Sequence, residues 1–277
     1  MKSEISKDTV LCTSFSARPG NFGTRLHNFL YQEMGLGFLY KAFAVTDIEG
    51  AVQAIRTLGI RGSAISMPFK ETVIEFLDEL DPMAREIGAV NTIVNDQGRL
   101  KGLNTDYIAV KELLVSSDLN PSKSIALLGS GGMARAIAFA LRDTGFKNTI
   151  LYSRNQATGT KLSREVGFVW AQDSKLASAS HQSGHADILI NATPIGMIPN
   201  TNELPFDLNT IAHAQALMDS VANPEPTSLV REGMRLGKQI ITGEQITLLQ
   251  AREQFRLYTG LLPSVELLER AARFARS

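Results

Sequence analysis

The chain has 277 residues, 44% of them hydrophobic, with 28 Lys and Arg against 28 Asp and Glu. That length exceeds the usual single domain and points to two, and a net charge of zero leaves no electrostatic footprint for nucleic acid or an anionic membrane. The lone Cys12 excludes an intrachain disulfide, no apolar run approaches the ~18 residues of a membrane span, and the opening Met-Lys-Ser-Glu-Ile has no apolar signal core. The expectation is a cytoplasmic protein, monomer or homodimer, that acts on a small molecule.

Strand-like apolar runs alternate with amphipathic helix-like runs, the pattern of an α/β fold with mainly parallel sheets. Val10 to Thr13 reads as a first strand that buries Cys12, and Phe22 to Glu33 as the helix after it. Phe38 to Val45 reads as a strand, Ile48 to Leu58 as a helix and Gly62 to Ile65 as a short strand. Pro68 suits the first turn of a helix running to about Leu77. Ala89 to Val94 and Leu100 to Leu103 flank Asn95-Asp-Gln-Gly98, a hairpin signal. Thr105 to Leu114 reads as a helix, and Asn120-Pro-Ser-Lys123 as a turn. Strands follow near 124–128, 149–153, 188–191, 216–219 and 239–241, with helices between. Two helices, Gln245 to Tyr258 and Ser264 to Phe274, close the chain around Gly260 and Pro263.

The strongest local signal is Ala126-Leu-Leu-Gly129-Ser130-Gly131-Gly132-Met133-Ala134. A strand enters this glycine turn and a helix leaves it, the context a dinucleotide fingerprint needs. One glycine closes the turn, another admits a pyrophosphate to the backbone, and a small residue lets helix pack on strand. The pyrophosphate then meets a helix N-terminus. At the end of the next strand stands Ser153-Arg154-Asn155, with no Asp or Glu between Asn148 and Lys161. A guanidinium there suits a 2′-phosphate, which favours NADP over NAD. His181 and His185 are spaced four apart but have no suitable third ligand, so no metal is expected. His27 and His213 read as structural.

Ser66-Met-Pro68-Phe-Lys70, Gly88-Ala-Val-Asn91-Thr, Asn104-Thr-Asp106, the glycine turn, Asn191-Ala192-Thr193-Pro-Ile-Gly196-Met and Gln250 occur in one order along the chain. Together they resemble the shikimate dehydrogenase family over essentially the whole length. The resemblance implies a two-domain α/β protein. Its N-terminal substrate domain, 1–105, would be completed by C-terminal helices 245–277. A Rossmann-type NADP-binding domain would span 106–244, with the active site in the cleft. It also implies reversible hydride transfer between 3-dehydroshikimate and shikimate, a step toward aromatic amino acids.

By that resemblance Lys70 and Asp106 are the catalytic pair. A lysine and a carboxylate converging on one hydroxyl can bind it and relay its proton. Ser66, Asn91 and Gln250 match positions that hydrogen-bond the substrate ring. Gly129 to Ala134 would hold the pyrophosphate, and Ser153 and Arg154 would meet the adenosine end. Asn191, Ala192, Thr193, Ser220, Val221 and Gly243 would line the nicotinamide side.

The departures are specific. Where the family has Ser-x-Ser before its His-Asn, this chain has Asn21-Phe22-Gly23, which makes Asn21 a substrate-binding candidate. Ser14, Ser16 and Arg18 lie close by in a different local frame. A family asparagine is Ala64, a family tyrosine is Ala222, and a second family arginine is Thr158. A retained proton-relay pair inside an altered shell predicts a divergent member, slow on shikimate or specific for quinate, an aminoshikimate or a related ring acid. A non-catalytic nucleotide-binding module is the alternative of another class, and Lys70 and Asp106 argue against it.

Overall fold

The computed structural model describes residues 5–172 and 186–277. The chain divides into two compact units, Met1–Thr105 with Leu248–Ser277, and Asp106–Thr247.

The first unit runs β1 (Val10–Ser16), α1 (Phe22–Glu33), β2 (Phe38–Ala44), α2 (Ile48–Thr57), β3 (Gly62–Ile65), a 3₁₀ turn (Thr72–Phe76), β4 (Glu79–Leu80), α3 (Pro82–Ile87), β5 (Thr92–Asp96) and β6 (Arg99–Leu103). Its sheet has the order β2-β1-β3-β5-β6-β4. β2, β1 and β3 are parallel, whereas β5 runs antiparallel to both β3 and β6. The β5–β6 hairpin closes through Gln97 and Gly98 at φ 51° and 91°. Positive φ at both central residues matches the twist of the flanking strands. Side-chain caps set the helix starts. Asp47 accepts from the Gly50 N–H, Asp81 from that of Met83, and Gly88 ends α3 in the left-handed region.

The expected helix from Pro68 to Leu77 does not form. Residues 67–71 make a turn, and only Thr72–Phe76 is helical, as 3₁₀. The carbonyl a continuing α-helix would need at Lys70 is taken instead by the Val90 N–H at 2.7 Å. Tertiary pairing here overrides the local proline signal.

The second unit carries α4 (Thr105–Ser116), β7 (Ile125–Leu128), α5 (Gly132–Asp143), β8 (Thr149–Ser153), α6 (Gln156–Val166), β9 (Val169–Gln172), β10 (Ile188–Asn191), α7 (Leu208–His213), β11 (Ala216–Asp219), α8 (Ser228–Arg235) and β12 (Gln239–Ile241). Its sheet is parallel throughout, in the order β12-β11-β10-β7-β8-β9. β7, β10 and β11 are buried at every residue, as central parallel strands covered on both faces must be.

α9 (Gly243–Thr259) and α10 (Val265–Arg276) close the chain. Phe255, Tyr258, Leu268, Ala271 and Ala275 pack with Cys12, Leu26, Leu30, Tyr31 and Tyr40 in one core cluster of the first unit. Tyr258 lies so close to β3 that a Cβ on Gly62 would fall 2.1 Å from its ring. His27 is also sealed here, 1% exposed and stacked on Tyr40 at 4.4 Å between ring centroids. Burial lowers its pKa from 6.5 to about 3, because no nearby anion compensates a buried imidazolium. The unfolded chain therefore takes up this proton near pH 6.5 and the folded chain does not until about pH 3. Stability is expected to fall as pH drops through that window, with a contribution of about 1.4 kcal/mol per pH unit from His27. Urea unfolding at stepped pH checks this: the His27→Gln protein should show a shallower slope by about one proton.

Candidate active site and dinucleotide-binding turn

In the second unit β7, β8 and β9 progress one way across the sheet, and β10, β11 and β12 the other. The reversal falls between β7 and β10. In open α/β sheets a crevice forms at the carboxyl ends of the two strands that flank such a reversal. The Gly129–Gly131 turn follows β7 there, and Ala192 and Thr193 follow β10.

Each glycine of the turn has its own reason. Gly129 has φ +125°, and a Cβ would sit 2.8 Å from the Ala192 carbonyl oxygen. Gly131, at φ −86°, caps α5 with open space where its side chain would be. The α5 ladder begins with Arg135 N–H donating to the Gly131 carbonyl at 2.9 Å. The N–H groups of Gly132, Met133 and Ala134 thus precede it without intrahelical acceptors. No acidic residue stands in the first turn of α5, so its positive end is left for an anion.

After β8, where the sequence reading placed the adenosine end, Arg154 is exposed. Ser153 is not available in the same way. The residue is 3% exposed, and its hydroxyl accepts from Trp170 Nε1 at 3.0 Å and donates to the Asn155 carbonyl at 3.0 Å. A Cβ on Gly159 would meet both Ser153 Oγ and Trp170 Nε1 at 2.2 Å, so glycine lets α6 close on β8 and β9. Ser130 Oγ lies 2.8 Å from Thr158 Oγ1, which fastens the glycine turn to the first turn of α6.

On the other side of the switch point Asn191 is fully buried. Its amide donates to Asp219 Oδ1 at 2.9 Å and to the Ile195 carbonyl at 3.1 Å. Its carbonyl oxygen accepts from the Thr193 N–H and hydroxyl at 3.1 and 2.7 Å. The Asn191 side chain is therefore scaffold, and the backbone of Ala192 and Thr193 is what the loop presents. The Ser220 N–H donates to the Asn191 carbonyl at 2.9 Å. Gly243 is required beside Val221, since a Cβ there would sit 2.3 Å from the Val221 carbonyl oxygen.

In the first unit hydrogen bonds bring together three of the expected substrate residues, Ser66, Asn91 and Gln250, with the backbone of Lys70. Ser66 directly follows β3, with its N–H on the Phe15 carbonyl at 3.0 Å. The Phe69 N–H returns to the Ser66 carbonyl at 3.0 Å, and Lys70 is tied through its carbonyl to Val90. The next residue, Asn91, accepts from the Ile65 N–H at 2.8 Å and donates its own N–H to the Leu103 carbonyl at 3.1 Å. Asn91 Oδ1 accepts from the Thr105 N–H at 2.7 Å and the Thr92 hydroxyl at 2.9 Å. Among the described residues Asn91 Nδ2 has no acceptor, which leaves a donor for a ligand. Thr105 Oγ1 reaches Gln250 Oε1 at 3.4 Å. Asp106 comes next in the chain, 4% exposed in the first turn of α4. Asn21 is exposed ahead of α1 and forms no side-chain cap, so no contact brings it to this group.

Gln254 is a residue that sequence reasoning does not single out. It is 2% exposed and donates to Thr92 Oγ1 at 3.0 Å and the Asn91 carbonyl at 3.3 Å. Its spacing of four from Gln250 on one helix face is the signal that could have found it. Among the described residues no group of three or more His, Cys, Asp and Glu could hold a metal ion. His181 and His185 lie outside the described residues.

A family model described as the shikimate dehydrogenase substrate-binding domain matches residues 22–93. A second, described as NADP oxidoreductase, coenzyme F420-dependent, matches 124–223. A shikimate dehydrogenase-like protein of Haemophilus influenzae is 47% identical over 99% of both chains. A relative from Pyrococcus abyssi named shikimate dehydrogenase (NADP(+)) is 34% identical over 89% of this chain and 90% of its own. The chain belongs to the shikimate dehydrogenase family. Among solved structures, a shikimate 5-dehydrogenase-like protein shares 46% identity with a TM-score of 0.88, covering 99% of this chain and 100% of its own. The Thermus thermophilus shikimate 5-dehydrogenase, solved with NADP(H) and shikimate, shares 30% identity at a TM-score of 0.83, covering 96% and 99%. Family membership thus extends through both units.

Two glycines two residues apart in this turn, Gly129 and Gly131, should behave in opposite ways. Gly131→Ala meets open space at negative φ and should leave the unfolding temperature unchanged. It should still weaken NADPH binding at least tenfold, since the new methyl points where a pyrophosphate would sit. Gly129→Ala should lower stability by about 1–3 kcal/mol through strain and collision. Thermal unfolding beside a nicotinamide fluorescence titration separates the two.

Proposed function

We propose that this protein interconverts 3-dehydroshikimate and shikimate by reversible hydride transfer with NADP. The observation that carries the reading is the hydrogen-bonded assembly around Asn91. It ties the Lys70 turn, β5 and the start of α4 together in a chain that belongs to this family. Short polar groups at Ser66, Asn91 and Gln250 suit a polyhydroxylated ring. In this reading residues 1–105 with helices 245–277 bind the substrate, and 106–244 bind the cofactor.

The residues present fit NADP. Gly131 leaves room for a pyrophosphate, the first turn of α5 offers N–H donors without a competing acid, and Arg154 is exposed where a 2′-phosphate would lie. When bound, NADP supplies a hydride acceptor. Lys70 and Asp106 hold the reacting hydroxyl and take its proton in the oxidative direction, then return it in the reductive one. Exposed Arg154 supports NADP as the preferred form, and it does so alone, because Thr158 stands where the family has a second arginine.

The test is the rate of NADPH formation with saturating shikimate, set beside Lys70→Ala. The lysine variant should lose 10²- to 10⁴-fold in turnover, the usual scale of a general acid–base group, while nicotinamide fluorescence shows NADPH binding retained. Turnover that survives the substitution would remove Lys70 from the chemistry. Quinate turned over faster than shikimate would overturn the substrate assignment, and equal affinity for NAD would overturn the cofactor assignment.

A further inference from the structure

The buried carboxylate at the end of β11 has no part in the reading so far. Asp219 is 1% exposed. Its Oδ1 accepts from Asn191 Nδ2 at 2.9 Å and from the Val221 N–H at 3.1 Å. Its Oδ2 accepts from the Thr227 hydroxyl at 2.6 Å, and Thr227 in turn caps α8 by accepting from the Val230 N–H at 3.1 Å. One side chain therefore fixes the loop after β10, the loop after β11 and the start of α8. All three partners present hydrogens to it, an arrangement an ionised carboxylate satisfies completely. Among the described residues no lysine, arginine or histidine pairs with it. Burial without a cation raises its pKa, opposed by these three donors.

A neutral asparagine could have spanned similar distances, so an uncompensated buried anion calls for its own explanation. It lies beneath the two loops assigned above to the nicotinamide side of the turn. The oxidised nicotinamide ring carries a positive charge and the reduced ring does not. We propose that Asp219 is a positioning residue that orders both nicotinamide-side loops and whose charge favours the oxidised over the reduced cofactor. This rests on the dinucleotide reading of the switch point.

The experiment measures dissociation constants of NADP⁺, NADPH and adenosine 2′,5′-bisphosphate for the full chain, Asp219→Asn and Thr227→Val. Asparagine keeps the shape and removes the charge. NADP⁺ should weaken several-fold more than NADPH in Asp219→Asn, while the adenosine bisphosphate, which lacks the nicotinamide half, binds as before. Thr227→Val keeps the charge and loosens the loops, so both nicotinamide forms should weaken in parallel by a few-fold. An unchanged NADP⁺-to-NADPH ratio in Asp219→Asn overturns the charge role, and equal weakening of all three ligands makes the residue merely structural. If Asp219→Asn does not fold, Thr227→Val decides: parallel loss of the two nicotinamide forms with intact adenosine bisphosphate binding supports the positioning role, and wild-type affinities overturn it. Wild-type protein that binds none of the three would instead refute the dinucleotide reading itself.

Discussion

A single amide oxygen, Asn91 Oδ1, governs where the candidate chemistry in the first unit can stand. It accepts from the backbone of Thr105 and the hydroxyl of Thr92. The Asn91 main chain meanwhile bonds Ile65 on one side and Leu103 on the other. The preceding residue, Val90, holds the carbonyl of Lys70, and the residue after Thr105 is Asp106. Two side chains 36 positions apart in sequence thus take their backbone anchors from neighbours of one asparagine. Gln254 extends this buried polar network from α9 and stiffens it further.

The second unit solves the equivalent problem with close backbone approach. Gly129 presses on the Ala192 carbonyl, Gly243 on that of Val221, and Gly159 on Ser153 and Trp170. Each glycine removes a side chain so that two segments can meet near the carboxyl end of the sheet. Gly131 is the exception, because nothing of the protein fills its space. Three of these glycines therefore serve close packing, and Gly131 leaves open space at the start of α5.

Much of this was legible in the sequence. α1 and β3 stand at the limits their periodicity predicts, and the Asn95–Gly98 hairpin and the glycine turn announce themselves through turn chemistry. Where legibility fails, the cause is tertiary. Pro68 signals a helix start, but the Lys70 carbonyl is diverted to Val90. β9 is a four-residue edge strand with exposed ends and no alternation to betray it. Side-chain roles are harder still. Asn191 and Ser153 carry the residue types of ligand contacts, yet their polar atoms are consumed within the fold. Asp219 ends the strand read at 216–219, and nothing in the sequence marks its three donors.

The split composition of the first unit has a temporal side. Its core joins Cys12, Leu26 and Leu30 to Phe255, Leu268 and Ala275, whereas residues 106–247 form an uninterrupted stretch. On a ribosome moving at about 5–20 residues per second, the second unit is complete while the first still lacks its closing helices. The apolar face of α1 is then left uncovered for on the order of ten seconds. The segment made first can therefore complete its core only after the segment made last.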